Sequence, residues 1–173
     1  EYHRSFLSGR VSWGITNSML IVSGAFGVFK KQPVIEAGGY KTNTIGEDME
    51  IVVRLHRLMK NHRRKYKIIF CEDAVCWTQG PMSVKDIRGQ RRRWQIGLLD
   101  TLISHASMFL NPFYGFVGLF AIPYNWIFEL LGAIVEVLGY FIIPFSLIMG
   151  ELNMFFFICY FLPFILFDYF ICF

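Results

Sequence analysis

Two long apolar stretches dominate the hydrophobic pattern near the C-terminus. Residues 113–149 are nearly all apolar, and residues 153–173 are apolar enough to cross a bilayer. At ~20 residues per span, the first stretch is long for one helix and short for two perpendicular helices. We therefore expect a transmembrane region over residues 107–173, with a break or kink near Gly132 or Pro144.

Two helices are predicted before this region. The segment "GEDMEIVVRLHRLMKNHRRKY" predicts an amphipathic helix with acidic residues in its first turn and cations in its last, as the helix dipole favours. Its apolar positions recur at helical spacing, and its cations are expected largely on the other side: Ile51, Leu55, Leu58 and Met59 against Arg54, Arg57 and Lys60. A second helix is predicted from about Val84 toward His105, and its later half is apolar enough to lie along a membrane surface.

Shorter elements are predicted around these helices. The apolar text from Val11 to Phe29 is broken by Gly, Ser and Asn, which favours short buried strands joined by tight turns. A turn or short helix follows, and its Gly38-Gly39 pair requires a permissive backbone. The segment "YKIIFCEDAVCWTQGP" predicts a strand, a turn at Glu72-Asp73 and a second short strand.

The charge distribution divides the chain into two parts. All 17 Lys and Arg residues lie at or before Arg93, whereas 54% of the whole chain is hydrophobic and the mean hydropathy is +0.43. Basic segments beside a membrane span tend to stay in the cytosol, so we expect a cytosolic head and a plasma-membrane or inner-membrane anchor. A basic head of this kind more often binds phosphate-bearing small molecules or anionic lipid than nucleic acid, so no nucleic-acid partner is expected.

The start of the chain and its cysteines each lead to one further expectation. Because the chain opens at Glu1 without an initiator Met or a signal peptide, we expect it to be a fragment of a longer protein. Its cysteines form no CxxC pair and have no His at zinc spacing, so a zinc site is not expected and the thiols are interpreted as reduced and mostly structural. These four residues are Cys71, Cys76, Cys159 and Cys172.

The first candidate for chemistry is the triplet Gly46-Glu47-Asp48 at a helix start after a glycine-rich loop. A carboxylate held there by the helix N-terminus stays ionised and could deprotonate a substrate hydroxyl. The alternative interpretation is an acidic first turn that only stabilises the helix. The triplet by itself favours this structural interpretation.

The second candidate is the run from Gln90 to Trp94. Spacings of three and four residues place Gln90, Arg93 and Trp94 on one helix face, with Arg91 and Arg92 expected to point elsewhere. An amide, a guanidinium and an indole on one face suit a diphosphate and a sugar ring, because Arg forks onto phosphate oxygens. A basic helix docked on lipid headgroups explains the same residues equally well.

Taken together, the two motifs and the hydrophobic spans that follow resemble the processive family-two glycosyltransferases. This family includes cellulose, chitin and hyaluronan synthases and bacterial exopolysaccharide synthases. The resemblance covers essentially the whole chain and includes "SGAFGVFKK", "EAGGY", "GEDMEIVVRLHR", "VCWTQGP" and "RGQRRRWQIGLLDTL". It implies an α/β fold plus transmembrane α-helices. Residues 1–106 would be the C-terminal, acceptor part of a Rossmann-like GT-A domain, including an interfacial helix.

The resemblance also assigns roles to individual residues. Asp48 corresponds to the general base, with Glu47 in a supporting role. Gln90, Arg93 and Trp94 correspond to the family's QxxRW motif, where Arg93 faces the nucleotide diphosphate and Trp94 forms the floor of the acceptor sugar site. Ser23 and Gly24 match the segment beneath the acceptor and are weaker candidates for substrate binding.

The implied reaction is inverting transfer of a sugar from a UDP-sugar to a growing polysaccharide. Mg²⁺ or Mn²⁺ is expected as the cofactor, with its ligands in a nucleotide-binding half, because this chain lacks the family's DxD motif and contributes no metal ligand. The fragment alone is therefore expected to be inactive. Gly46 stands where Thr is frequent in the family, which is a smaller difference from the family pattern than the missing DxD motif.

Several alternatives remain open from the sequence. A non-processive transferase acting on a lipid or protein acceptor would carry similar motifs, and a membrane transport or scaffold protein could use the basic head only for headgroup binding. Glu129 and Glu136 lie seven residues apart in apolar text and could line a polymer path or simply be hydrated. Trp77 could contact substrate, but a buried Trp at a strand end is the commoner outcome.

Overall fold

The computed structural model describes residues 9–24, 26–71, 73–150, 153–155 and 157–158, apart from the side chains of residues 133, 136 and 140. The first part of the chain folds into four helices joined by irregular segments. In order these are α1 (Gly9–Ile15), α2 (Lys31–Glu36), α3 (Glu47–Asn61) and α4 (Val84–Ser104). Two 3₁₀ turns follow, at Ala106–Met108 and Pro112–Tyr114.

Helix α3 confirms the amphipathic helix predicted from its sequence. Glu47, Asp48 and Glu50 lie in its first turn and Lys60 in its last, which complements the helix dipole at both ends. The apolar face is buried, with Ile51 fully excluded from solvent. The cationic face differs from the prediction at Arg54, which turns inward and is only partly exposed.

Helix α4 confirms the second prediction almost to its ends. Its start is fixed by Ser83 as the N-cap: the Asp86 N–H donates to Ser83 Oγ (3.2 Å), and the Ser83 hydroxyl donates to Asp86 Oδ2 (2.7 Å). Its later half buries Leu98 and Leu102 against the rest of the fold, while Ile103 on another face remains exposed. The apolar half of α4 therefore packs into the core on one face and exposes apolar side chains on another.

The C-terminal helical run begins after Gly115 and changes hydrogen-bond register along its length. Its segments are a π-helix at Val117–Ala121, α5 (Ile122–Tyr124), a π-helix at Asn125–Leu131 and α6 (Gly132–Ile148). The register returns from π to α at Gly132, one of the two positions predicted for a break, whereas Pro144 lies inside α6. Among the described residues, no helix combines the length and the apolar character needed to cross a membrane.

The predicted strands are not found anywhere in the described part of the chain, which corrects the α/β expectation to a helical one there. Helix α1 occupies part of the segment predicted as buried strands. Residues 66–70 have no regular secondary structure, and one side chain bonds to their backbone at two points: the Ile68 N–H donates to Asn17 Oδ1 (2.7 Å), and Asn17 Nδ2 donates to the Tyr66 carbonyl (3.1 Å). A strand needs a neighbouring strand to bond its backbone, and the described residues supply none to this segment.

The hydrophobic core lies where α3, α4 and the start of the C-terminal run meet. Its main cluster consists of Leu20, Met49, Val53, Leu98, Leu102, Met108, Tyr114, Val117, Ala121 and Ile122. A smaller cluster on another face of α3 contains Ile51, Val52 and Leu55 and packs against apolar side chains from positions 22 to 37 and from Ile68. Helix α3 is thus buried on two sides, and its N-terminus is held firmly in place.

Candidate functional site

Asp48 lies in the first turn of α3 and is half-buried. Burial is the largest influence on its carboxyl group and raises the pKa of Asp48; the neighbouring Glu47 charge acts in the same direction. The Met49 N–H donates to Asp48 Oδ1 (2.8 Å), and the Arg10 guanidinium also lies near enough to oppose the increase in part. The result is a carboxylate that accepts a proton more readily than an exposed aspartate does.

Asp48 opens onto a cavity of about 130 Å³ between α3 and the loop at residues 22–29. Its walls are Val22, Ser23, Gly24, Gly27, Phe29, Tyr40, Glu47 and Asp48. Four residues singled out from the sequence, Ser23, Gly24, Glu47 and Asp48, thus lie around one space. Gly24 is in close contact with the carboxylate, since a Cβ added there would lie 3.3 Å from Asp48 Oδ2.

Two of the other three predicted site residues line a second cavity. Gln90 and Arg93 face a more open space of about 340 Å³ together with Asp86 and residues 79–82. Trp94 is not among its walls; the indole is 44% exposed. The Arg91 guanidinium lies over the Trp94 ring at 5.5 Å from its centroid, so the expectation that Arg91 points away from this motif is wrong.

A glycine contact connects the elements that carry the two cavities. A Cβ added to Gly46 would lie 2.8 Å from Gly97 Cα, so the start of α3 touches α4 backbone to backbone. Gly97 follows Arg93 by four residues and therefore lies on the same face of α4, one turn further on. The two predicted motifs are consequently neighbours in the fold, although each faces its own cavity.

A buried ion cluster beneath Asp48 was not identified from the sequence. Glu50 is almost fully buried and contacts Lys41 Nζ (2.8 Å), Arg54 Nη2 (2.8 Å) and, more loosely, His105 Nε2 (3.4 Å). Burial alone would raise the pKa of Glu50, but the hydrogen bond from Lys41 and the charge of Arg54 outweigh it and lower that pKa. The Glu50–Arg54 spacing of four residues was the only visible signal, and it is common on exposed helix faces.

A buried histidine fixes the opposite side of α3. His56 Nε2 lies 2.9 Å from the Met19 carbonyl oxygen and must donate to it, so Nδ1 accepts from the Tyr66 hydroxyl at 2.6 Å. Burial lowers the pKa of His56 to about 4 and raises the pKa of Tyr66 to about 12. The pair is therefore neutral and structural, and it ties α3 to the segments at residues 19 and 66.

The structure also bears on the expectations for Trp77, for the cysteines and for the two glutamates Glu129 and Glu136. Trp77 is 94% exposed, so the expectation of a buried strand-end Trp is wrong. Cys71 and Cys76 are free thiols, as expected, but they are exposed and not structural, and the other two cysteines lie outside the described residues. Glu129 is exposed, whereas the side chain of Glu136 lies outside the described ones.

No cluster of three His, Cys, Asp or Glu side chains suited to a metal ion occurs within the described residues. Asp48 and Glu47 line the cavity described above, but they do not belong to any such cluster of three side chains. The residues that the structure describes therefore do not fit a divalent cation, and no step is assigned to a metal through them.

Comparison with known proteins identifies a family over most of the chain and individual relatives over about half of it. The model of the family described as glycosyl transferase family group 2 matches residues 3–172. The chain is 33% identical over 82 residues to a poly-beta-1,6-N-acetyl-D-glucosamine synthase of Staphylococcus aureus (strain COL), covering 47% of this chain and 18% of that protein. It is 31% identical over 97 residues to a probable glucomannan 4-beta-mannosyltransferase 15 of Arabidopsis thaliana, covering 56% of this chain and 17% of that protein.

These matches confirm the resemblance to processive family-two synthases. The aligned part of the chain spans less than a fifth of the length of each of these relatives. No solved structure matches the chain significantly.

Proposed function

Because this chain belongs to glycosyl transferase family group 2, we propose that it is part of an enzyme that transfers a sugar from a UDP-sugar to a growing polysaccharide, with inversion at the anomeric carbon. The observation that carries this proposal is the half-buried Asp48 carboxylate in a cavity formed with Ser23 and Gly24. A carboxylate with a raised pKa, open to a small cavity, is the arrangement that general-base catalysis requires.

Asp48 acts as the base in the proposed step. Its carboxylate takes the proton from the acceptor hydroxyl as that oxygen attacks the anomeric carbon, and the bond from this carbon to the UDP oxygen breaks on the opposite face. UDP departs with the bonding electron pair, and the new glycosidic bond has the inverted configuration. Burial keeps the pKa of Asp48 high, and Glu47, the exposed neighbour in the same turn, adds to this through like-charge repulsion.

The second cavity is assigned to the departing diphosphate. Arg93 presents a guanidinium that can donate two parallel hydrogen bonds to phosphate oxygens, and Gln90 adds an amide on the same wall. Trp94 is assigned to the floor of the acceptor sugar site from the family's motif alone, since it lines neither cavity and the Arg91 guanidinium lies over its ring. We assign the divalent cation, Mg²⁺ or Mn²⁺, to ligands outside the described residues.

A membrane location is supported by the surface of the C-terminal helical run. Large apolar side chains are exposed along it, among them Phe116, Phe120, Phe128, Phe141 and Phe145. No Lys or Arg follows Arg93 in the sequence. Exposed apolar surface of this extent is typical of contact with lipid or with another protein, and we propose that lipid covers it, with the basic part of the chain in the cytosol.

The proposal is tested by UDP release from membranes that contain the full-length parent protein. A panel of UDP-sugars is supplied with Mg²⁺ or Mn²⁺, and the product is analysed by NMR for linkage and anomeric configuration. Release with one donor and a β-linked polymer from an α-linked donor are expected. A retained α configuration, or no release with any donor in membranes shown to contain folded protein, would contradict the proposed function.

A further inference from the structure

Tyr40 occupies a position that neither motif explains. Its ring is half exposed and forms part of the wall of the Asp48 cavity. Phe29, another wall residue, packs edge-on against it with ring centroids 6.4 Å apart and planes at 86°. The cavity that holds the carboxylate thus also has a fixed aromatic surface, of the kind that binds the apolar C–H face of a pyranose.

The backbone on both sides of Tyr40 is held from α3. The carbonyl oxygens of Ala37 and Gly39 each accept a hydrogen bond of 2.6 Å from the Arg54 guanidinium. Lys41, which follows Tyr40, forms a 2.8 Å ion pair with Glu50. Glu50 also accepts a hydrogen bond from Arg54. The Glu50–Arg54 pair on α3 therefore forms a clamp that holds Gly39 and Lys41, the residues on either side of Tyr40.

This clamp adds to the C-terminal cap of α2, in which the Gly38 and Gly39 N–H groups donate to carbonyl groups of that helix (2.9 and 2.8 Å). Gly38 and Gly39 have φ values of +88° and +74°, which place both in the left-handed region. The described residues show no sheet partner for the loop, so its carbonyl groups rely on the guanidinium fork. Glu50 lies two residues after Asp48 on α3, so the same helix turn sets the positions of the carboxylate and of Tyr40.

We propose that Tyr40 binds the acceptor by packing its ring against the terminal pyranose, and that Glu50 and Arg54 are positioning residues that hold this ring opposite Asp48. This inference rests on the proposed function and deepens it. Ser23 and Gly24 line the same cavity. In the proposed arrangement, the hydroxyl group of the acceptor sugar contacts Asp48 while the sugar ring packs on Tyr40.

The test measures initial rates of UDP release by the full-length parent in membranes. It uses the donor that the UDP-sugar panel identifies and adds the free monosaccharide of the same sugar as acceptor. Tyr40→Ala should raise the acceptor KM about tenfold and leave the donor KM within about twofold of wild type. Tyr40→Phe, which keeps the ring, should restore the acceptor KM.

The clamp is tested by a matched pair of conservative changes on α3. Arg54→Lys removes the planar fork and should raise the acceptor KM several-fold with a smaller effect on kcat, whereas Arg57→Lys three residues later should change neither. Protein level and thermal unfolding of each variant are measured in parallel. An unchanged acceptor KM in Tyr40→Ala, or a fall in kcat alone in Arg54→Lys, would overturn the inference while leaving the donor panel and the proposed function intact.

Discussion

Gly46 and Gly97 meet backbone to backbone where the start of α3 crosses α4. A Cβ added to Gly97 would lie 2.7 Å from Gly46 Cα, closer than real side chains come to a backbone atom. The contact lies two residues before Asp48 and one helical turn after Arg93. It therefore sets the distance between the proposed base and the proposed diphosphate site.

Replacing Gly97 with Ala should damage this crossing. The added methyl group forces α3 and α4 apart, because both sides of the contact are backbone and cannot rotate away. We expect a destabilisation of about 1–3 kcal/mol and at least a tenfold loss of UDP release. Gly89→Ala is the matched control in the same helix, since a Cβ there meets nothing within 4 Å and alanine is the better helix former. Equal activity of the two variants would contradict this account.

The pH dependence of the reaction should report the raised pKa of Asp48. The base must be ionised, so the rate falls as the pH decreases through that pKa, and the fall begins at a higher pH than for an ordinary aspartate. Burial is the main cause of this raised pKa, and Glu47→Gln removes the like charge that adds to it, so the acid limb of the rate profile should move part of the way to lower pH. The profile of kcat/KM against pH checks this, with the exposed Asp100→Asn as a control that should leave the limb unmoved. A wild-type acid limb no higher than that of an ordinary aspartate would show that another group titrates there.

The stability of the fold should depend on the neutral state of His56. Its folded pKa of about 4 lies below its unfolded value of 6.5, so the unfolded chain binds more protons between these values. Stability is therefore complete above about pH 6.5 and is lost as the pH falls toward 4, by on the order of 3 kcal/mol.

Thermal unfolding of the full-length protein between about pH 8 and about pH 5 measures this loss. His56→Gln should be less stable at the higher pH but lose less on acidification. His62→Gln, at an exposed position just beyond α3, should retain the wild-type pH dependence. The same slope in all three proteins would show that His56 does not carry the effect.

Local signals in the sequence predicted α3 and α4 well, whereas α1 lies partly in a segment predicted as strands. Helix α4 is bounded by the Ser83 and Asp86 cap, and α3 by an acidic first turn and an apolar stripe, all of which can be read from adjacent residues. The strands failed because strand formation depends on partners far away in the sequence. The segment at Ile68, for example, is held by the side chain of Asn17.

The candidate site was predicted only in part for a similar reason. Asp48 and Gly24 belong to short motifs and lie together as their resemblance to the family implies. Glu50 was overlooked because its partners come from positions 41, 54 and 105, a grouping that no local pattern reveals. The helical period places Arg54 away from the apolar positions of α3, but it does not show that the loop at Ala37 and Gly39 packs against that side of the helix.

The most direct test of the central claim is kcat for UDP release by the full-length parent carrying Asp48→Asn, compared with wild type and Asp100→Asn. Asparagine keeps the shape of the side chain but cannot accept the proton. We predict that Asp48→Asn is expressed and folded as wild type and loses ~10²–10⁴ in kcat, while Asp100→Asn keeps full activity. A folded Asp48→Asn variant that releases UDP at the wild-type rate would show that Asp48 is not the base.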